Sequence, residues 1–424
     1  MEKVVVVGTI LKSYNKEEIK SEYKSLDELS SLVSTARGIV LKTFLVKRDK
    51  IDPAYYIGKG KAEEIGRYVN ENKIRTVIFD NELSVAQIRN LEKKIDAKII
   101  DRTRLILDIF AQRAHTKEAK LQVELAQMQY ILPRLTQKGI YMDNQVGGIG
   151  TRGPGETKLE YDRRKIMLRI EKIKDELKKV VISRQEQRKL RLESKIPLVA
   201  LVGYTNTGKS TLFNMLLNSL EAYADDKLFA TLDPLVRKLK LPNNDEILIV
   251  DTVGFINKLP HNLIESFKST LEIVKDASLL LEVIDITSED NLQREKLVRQ
   301  ILEDIGVKNI PVLKVYNKVD LLDKEIKESY IKKLKNKKDS VIISAKTGFG
   351  IEKLLKKIQE CLNFNTIVKT IKIFQNQYEI LNFVYKYCKV MNNNVDNNCI
   401  ILKIQTTKKI FEKIKELIRS NLKQ

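Results

Sequence analysis

The chain has 424 residues, enough for about three domains, and carries 77 Lys plus Arg against 56 Asp plus Glu, a formal net charge of +21. That excess suits a polyanionic partner such as RNA, or peripheral association with an acidic membrane surface. No apolar run approaches the ~18 residues of a membrane span, which excludes an integral membrane segment.

The stretch from Met1 to Gly8 is too short and too quickly polar for a signal peptide. Cys361, Cys388 and Cys399 have neither pairing parity nor metal spacing, so a reduced, cytoplasmic setting is expected.

Residues 1–105 alternate short apolar runs with helix-like stretches. The runs are Ile39-Val40-Leu41, Thr76 to Asp80 and Lys98 to Asp101, and Ser84 to Lys94 exemplifies the helices. That rhythm predicts a small α/β layer domain. Gly58-Lys59-Gly60-Lys61 invites comparison with a phosphate loop but lacks the spacing and the hydroxyl after lysine, so a solvated turn is expected.

Residues 106–195 have a different texture. Leu121, Leu125, Met128, Leu132 and Leu135 recur at alternating steps of four and three, and Ile166, Ile170, Ile173, Leu177 and Val180 repeat the pattern. Two such seams bury best against each other, which predicts an antiparallel helical hairpin with residues 139–158 as its connecting loop. A loop that long without periodicity is functional or disordered. Its glycines and Pro154, with Arg152 and Lys158, suit a positively charged tip lying on RNA backbone, the alternative being a plain linker. Arg163, Arg164, Lys165, Arg169, Lys172, Lys174, Lys178 and Lys179 continue that charge along the return helix.

Residues 196–363 carry the chemistry. Gly203-Tyr204-Thr205-Asn206-Thr207-Gly208-Lys209-Ser210 follows the strand-like Leu198 to Val202 and precedes a helix-like run from Thr211 to Leu217. The spacing G-x-x-x-x-G-K-S in that context is a phosphate-cradling loop, in which backbone N–H groups and a helix N-terminus face the polyphosphate. Lys209 is expected to reach the β- and γ-phosphates, and Ser210 to ligate Mg²⁺. Phe229-Ala230-Thr231-Leu232-Asp233 offers Thr231 as a second hydroxyl ligand. Asp251-Thr252-Val253-Gly254 ends another apolar run: Asp251 can hold Mg²⁺ through water, and the Gly254 N–H can touch the γ-phosphate. Loops ordered by such contacts act as switches.

Asn317-Lys318-Val319-Asp320 stands at the carboxyl end of the apolar run from Val312, where open α/β sheets bind ligands. Asp320 can accept from the N1–H and exocyclic amine of guanine, a donor pair adenine lacks. Asn317 can tie this loop to the phosphate loop, and the Lys318 stem can cover the base. Ser344-Ala345-Lys346 can place a backbone N–H on the guanine oxygen.

The residues expected around GTP or GDP are therefore Gly203 to Thr211, Phe229 to Asp233, Asp251 to Gly254, Asn317 to Asp320 and Ser344 to Lys346. Lys209, Thr231 and Gly254 serve the reacting phosphate. Asn206 either coordinates K⁺ beside the phosphates or only stabilises the loop. Phe255 stands where many GTPases place a water-orienting glutamine, so hydrolysis is expected to be slow until a partner completes the site. His261 is read as a packing or switch-helix residue rather than a base.

Residues 364–424 read as a small α+β domain without catalytic chemistry. Strands are expected at Thr366 to Ile373 and Ile400 to Gln405, helices at Gln377 to Tyr387 and Lys408 to Leu422, and the Asn-rich stretch from Asn392 to Asn398 as a turn or loop.

Gly147 to Glu160 (G-G-I-G-T-R-G-P-G-E-T-K-L-E) resembles the signature of the HflX family of ribosome-associated GTPases. So do Tyr56 to Lys61, Asp108 to Ala114, Leu121 to Gln127, and Asp251 to Ile256 with Leu259-Pro260-His261. The resemblance runs from about Val40 to Lys346. It implies binding at the large ribosomal subunit, through rRNA and ribosomal proteins, and GTP-dependent splitting of stalled or idle ribosomes. It also implies a hairpin tip directed toward the peptidyl-transferase centre. The alternative is an RNA-binding or ribosome-assembly factor for which GTP is a licensing switch. The expected architecture is an α/β multidomain chain. It comprises an N-terminal α/β domain with an antiparallel helical hairpin, a Ras-like P-loop GTPase domain and a small C-terminal α+β domain, acting as a monomer.

Overall fold

Ten residues at the start of the chain, Glu2–Leu11, form strand β1, and from Val4 to Val7 every side chain is buried on both faces. A strand covered on both sides needs parallel neighbours and flanking helices. The sheet supplies them in the order β2-β1-β3-β4, all parallel, with β2 Gly38–Arg48, β3 Thr76–Phe79 and β4 Lys98–Asp101. The computed structural model describes residues 1–137, 158–194, 196–218, 228–229, 231–242, 245–258, 272–334, 337, 339–363, 366–374, 377–396 and 399–421.

Helices α1 (Lys16–Thr35), α2 (Lys59–Glu71), α3 (Val85–Ile95) and α4 (Arg102–Arg113) surround this sheet. Asn15 with Glu18, and Ser84 with Gln87, form capping boxes that fix where α1 and α3 begin. The Gly58 to Lys61 stretch turns into the start of α2, with Lys59 and Gly60 exposed.

The hairpin follows. Helix α5 (Lys117–Ile131) lies against α6 (Lys158–Ser194), with Leu121, Leu125, Ile170 and Ile173 buried between them and Met128, Leu132, Ile166 and Leu177 half-buried alongside. Arg169 grips Glu124 bidentately at 2.6 and 2.7 Å. Leu135 instead sits in a 3-10 turn, Leu132–Gln137, where the seam's phase ends. The expected connecting loop lies outside the described residues, except Lys158, which opens α6.

The third unit is a six-stranded sheet in the order β10-β9-β8-β5-β7-β6. Its strands are β5 Leu198–Val202, β6 Leu235–Lys240, β7 Glu246–Asp251, β8 Leu279–Asp285, β9 Val312–Asn317 and β10 Ser340–Ile342. All pairs are parallel except the edge pair β6–β7. Helices α7 (Lys209–Leu217), α8 (Asn291–Asp304), α9 (Lys324–Leu334) and α10 (Ile351–Asn363) belong to it. The carboxyl ends of β5, β7 and β9 converge on one edge, where this doubly wound topology places a ligand crevice.

The last unit is an antiparallel sheet, β11 (Thr366–Phe374), β13 (Cys399–Thr407) and β12 (Lys389–Asp396) in that order, with α11 (Tyr378–Tyr387) and α12 (Lys408–Asn421). Here the structure corrects the sequence reading. Asn392 to Asp396 is edge strand rather than turn, because β13 supplies the backbone partners and the exposed asparagines need no apolar cover. Asn397 and Asn398 lie outside the described residues.

Among the described residues no helix is long and apolar enough to cross a membrane.

Candidate nucleotide site

The phosphate loop leaves β5 at Gly203 and enters α7 at Lys209. Gly208 takes φ +89°, and a β-carbon there would meet Asn317 Nδ2 at 2.3 Å, so only glycine lets the loop and the base-reading segment approach this closely. Asn317 closes the junction from its side. Its Nδ2 donates to Thr207 O at 2.8 Å, and its Oδ1 accepts from Ala345 N at 2.9 Å. One buried amide thus joins three of the predicted segments.

Lys318 adopts φ +67°, and its Nζ pairs with Asp285 Oδ2 at 2.8 Å. Val319 is buried, Asp320 and Lys346 are exposed, and Ser344 Oγ accepts from Thr347 N at 3.1 Å.

A second strand-like contact holds the phosphate loop to the segment after β7. Thr205 N donates to Phe255 O at 2.7 Å, and Phe255 N donates to Gly203 O at 3.1 Å. Phe255 is buried in the GTPase core, with no polar group to offer water. Lys209 is buried, and its Nζ donates to Tyr204 O at 2.6 Å and Gly203 O at 3.2 Å. Burial pulls its pKa down to about 8, partly offset by Asp251. Thr207 Oγ1 donates to Tyr204 O at 3.0 Å, and Asn206, at φ +57°, is exposed.

The three residues expected at Mg²⁺ lie together. Ser210 Oγ and Thr231 Oγ1 each donate to Asp251 Oδ2 at 2.7 Å, and the two hydroxyls are 2.8 Å apart. Asp251 is fully buried, which raises its carboxyl pKa against the opposing pull of Ser210 and Lys209. Its Oδ1 has no hydrogen-bond partner among the described residues. An orphaned buried carboxylate oxygen beside two hydroxyls is a donor set that suits a hard divalent cation. Ser210, Thr231 and Asp251 would hold it, and it would neutralise phosphate charge when bound.

Several predicted residues face elsewhere. Thr252 Oγ1 donates to Leu201 O at 2.6 Å. Phe229, Leu232 and Val253 are buried in the core of the N-terminal domain, with Phe229 edge-on to Phe110 at 4.6 Å. Asp233 accepts from His115 N at 3.0 Å, from Thr116 N at 3.1 Å and from the Thr116 hydroxyl, at the start of α5. Thr211 is half-buried in the first turn of α7. Ala230, Leu259, Pro260 and His261 lie outside the described residues.

A polar cluster that the sequence did not reveal joins the two domains. The Tyr204 hydroxyl donates to Glu28 and accepts from Asn257 N at 2.8 Å. Arg102 is buried, pairs with Glu28 and with Asp80 at 2.7 Å, and donates to Asn257 O at 3.2 Å. Lys258 reaches Asp80 at 2.7 Å and Glu22 at 2.9 Å. Burial alone would raise Asp80, but Arg102 and Lys258 outweigh it and hold its carboxyl below the usual range. Glu28 goes up because burial wins over Arg102.

Four family descriptions match in succession along the chain. They are "GTP-binding GTPase N-terminal" over residues 23–111, "GTP-binding GTPase Middle Region" over 113–191, "50S ribosome-binding GTPase" over 198–318 and "HflX C-terminal domain" over 329–418. A protein named GTPase HflX from Caldanaerobacter subterraneus subsp. tengcongensis is 46% identical over 94% of this chain and 91% of its own length. The chain belongs to the HflX family.

The GTPase HflX of Escherichia coli is 43% identical to this member, over 83% of this chain and 82% of its own. A GTP-binding protein from the archaeon Sulfolobus solfataricus, solved in complex with GDP, is 27% identical, with a TM-score of 0.44 over 86% of this chain and 99% of that chain. Membership in the HflX family makes this a GTPase.

Proposed function

We propose that this GTPase binds the large ribosomal subunit and, in its GTP state, splits stalled or idle ribosomes. The observation carrying this reading is the burial of Leu228, Phe229, Leu232, Val253 and Ile256 in one core with Leu105, Phe110 and Val123. The loops that respond to the γ-phosphate are thereby packed onto the body that bears the hairpin. The family description "50S ribosome-binding GTPase" supports the choice of partner.

In this reading Mg²⁺ sits at Ser210, Thr231 and Asp251, and the basic return helix with the tip contacts rRNA. The protein works as a cytoplasmic monomer. Asn206 lies exposed beside the phosphate loop, where K⁺ could add charge, and equal rates in KCl and NaCl would remove that role.

Ribosome sedimentation with GTP, with a non-hydrolysable analogue, and with a variant trimmed at Gly147 to Gly155 tests the proposal. Dissociation by the wild type that is lost on trimming supports splitting. Binding without dissociation would instead favour the licensing role.

A further inference from the structure

A cavity of 410 Å³ opens beside the phosphate loop, between α1 of the N-terminal domain and the start of α8. Thr205 and Asn206 line it from the loop, and among the described residues that line it Lys24 and Arg294 are the cations, facing Glu28, Asp285 and Asp290. Thr205 also borders the corner where the γ-phosphate is expected. A methyl group on Gly254 would stand 2.9 Å from both Lys209 Nζ and Thr205 Cα, so the lysine, the γ-sensing glycine and Thr205 converge there. Thr205 is 96% buried in this wall by its 4% exposure, and its Oγ1 has no hydrogen-bond partner among the described residues.

The two cations differ in what holds them. Lys24 is bound to Asp290 and lies 3.9 Å from Glu289, so its charge is committed. Arg294 makes no ion pair within 4 Å among the described residues, and its charge acts on Glu28 only at longer range. Its guanidinium rests on the ring of Tyr204, 4.6 Å from the centroid, one residue along the loop from Thr205. A stacked arginine keeps its donors at the rim of the plane, available to phosphate oxygens.

We propose that Arg294 is a catalytic arginine supplied in cis, which moves from the Tyr204 ring to the γ-phosphate through this cavity. In the step it serves, water oxygen bonds to Pγ and the bond from Pγ to the bridging oxygen breaks. The electron pair stays on the β-phosphate of GDP, and the water proton leaves on inorganic phosphate. Charge builds on the bridging and γ-oxygens, and a guanidinium there lowers the barrier. Phe255, buried and apolar, leaves that role open.

The test compares wild type with Arg294→Ala and Arg294→Lys in single-turnover hydrolysis and in binding of GDP, a non-hydrolysable GTP analogue, and GDP with aluminium fluoride. Arg294→Ala is expected to slow turnover on the order of 10³-fold. It should lose the aluminium fluoride complex and keep its affinity for GDP and the analogue. Arg294→Lys should recover part of the rate, since charge is kept and the planar fork is lost. Unchanged turnover, or a loss of turnover matched by an equal loss of GDP affinity, would overturn the assignment and leave Arg294 a support for the Tyr204 ring.

Discussion

Asp320 stands exposed at the end of β9, behind the left-handed Lys318 and the amide of Asn317 that anchors the segment to the phosphate loop. In the proposed reading this carboxylate accepts two hydrogen bonds from guanine, and charge-assisted bonds of this kind are worth about 1.5–3 kcal/mol each. Asp320→Asn should therefore weaken GTP by about 10²-fold and shift preference toward xanthosine triphosphate in fluorescent-nucleotide competition. Retained GTP preference would mean that the base is read elsewhere.

Glu282 gives a residue-scale test of a different kind. It is buried in β8, and burial together with Glu295 pushes its carboxyl from 4.5 up to about 7. Between those pH values the folded protein keeps a proton that the unfolded chain has released. Stability from this group is therefore lost as pH rises through that window, by about 3 kcal/mol once fully ionised. Glu282→Gln should melt above wild type at pH 8 and alongside it at pH 4, and parallel melting curves at both pH values would refute the assignment. The nucleotide motifs were legible because their meaning lies in local spacing. The Tyr204 hydroxyl was not, because its carboxylate partner, Glu28, lies 176 residues away in sequence.

At the scale of elements, helix start signals read well where a side chain caps its own turn, as Ser84 does for α3. They read poorly where the meaning is shared between units. Thr116 caps α5 by accepting from Ala119 N at 3.1 Å, yet its hydroxyl also donates to Asp233 of the loop proposed as the first switch. Strand β12 was missed for a related reason. Its asparagines carry no period-2 signal, and only β13, nine registered pairs long against β11 on its other side, makes it a strand. The Asp233 contact is testable. Asp233→Ala removes the acceptor for two backbone N–H groups and one hydroxyl, while leaving Thr116 to cap the helix. Hydrogen exchange should quicken in the first turn of α5 and in residues 231–234, with little change in α6. The double change Thr116→Ala, Asp233→Ala should also cost about 1 kcal/mol of stability, the usual worth of a cap. Exchange unchanged in α5 would show that the switch loop and the hairpin base are not joined through this carboxylate.

At the scale of the molecule, the loop proposed as the first switch is built into the core of the N-terminal domain. Phe229 takes φ +56° and packs on Phe110, whose helix α4 leads directly into α5. A loop ordered by γ-phosphate and metal contacts changes its arrangement when those contacts are released. Such a change would act first on Phe110, and through it on the core that also holds Val123 and Ala126, because close-packed interiors shift between discrete arrangements rather than deforming smoothly. The polar cluster of Glu28, Arg102, Asp80 and Lys258 gives the second switch loop a parallel attachment, through Asn257. Both attachments bias the same body, so exchanging GDP for a GTP analogue should alter hydrogen-exchange protection in α1, α4 and α5, far beyond the nucleotide. Phe229→Ala should cost about 3–5 kcal/mol of stability. It should also shrink the nucleotide-dependent difference in α4 and α5 while leaving that around Asn257 and Lys258 in place. Identical protection of α4 and α5 in the two nucleotide states of the wild type would sink the coupling altogether. Loss of the difference at both attachments in Phe229→Ala would show a single shared joint rather than two.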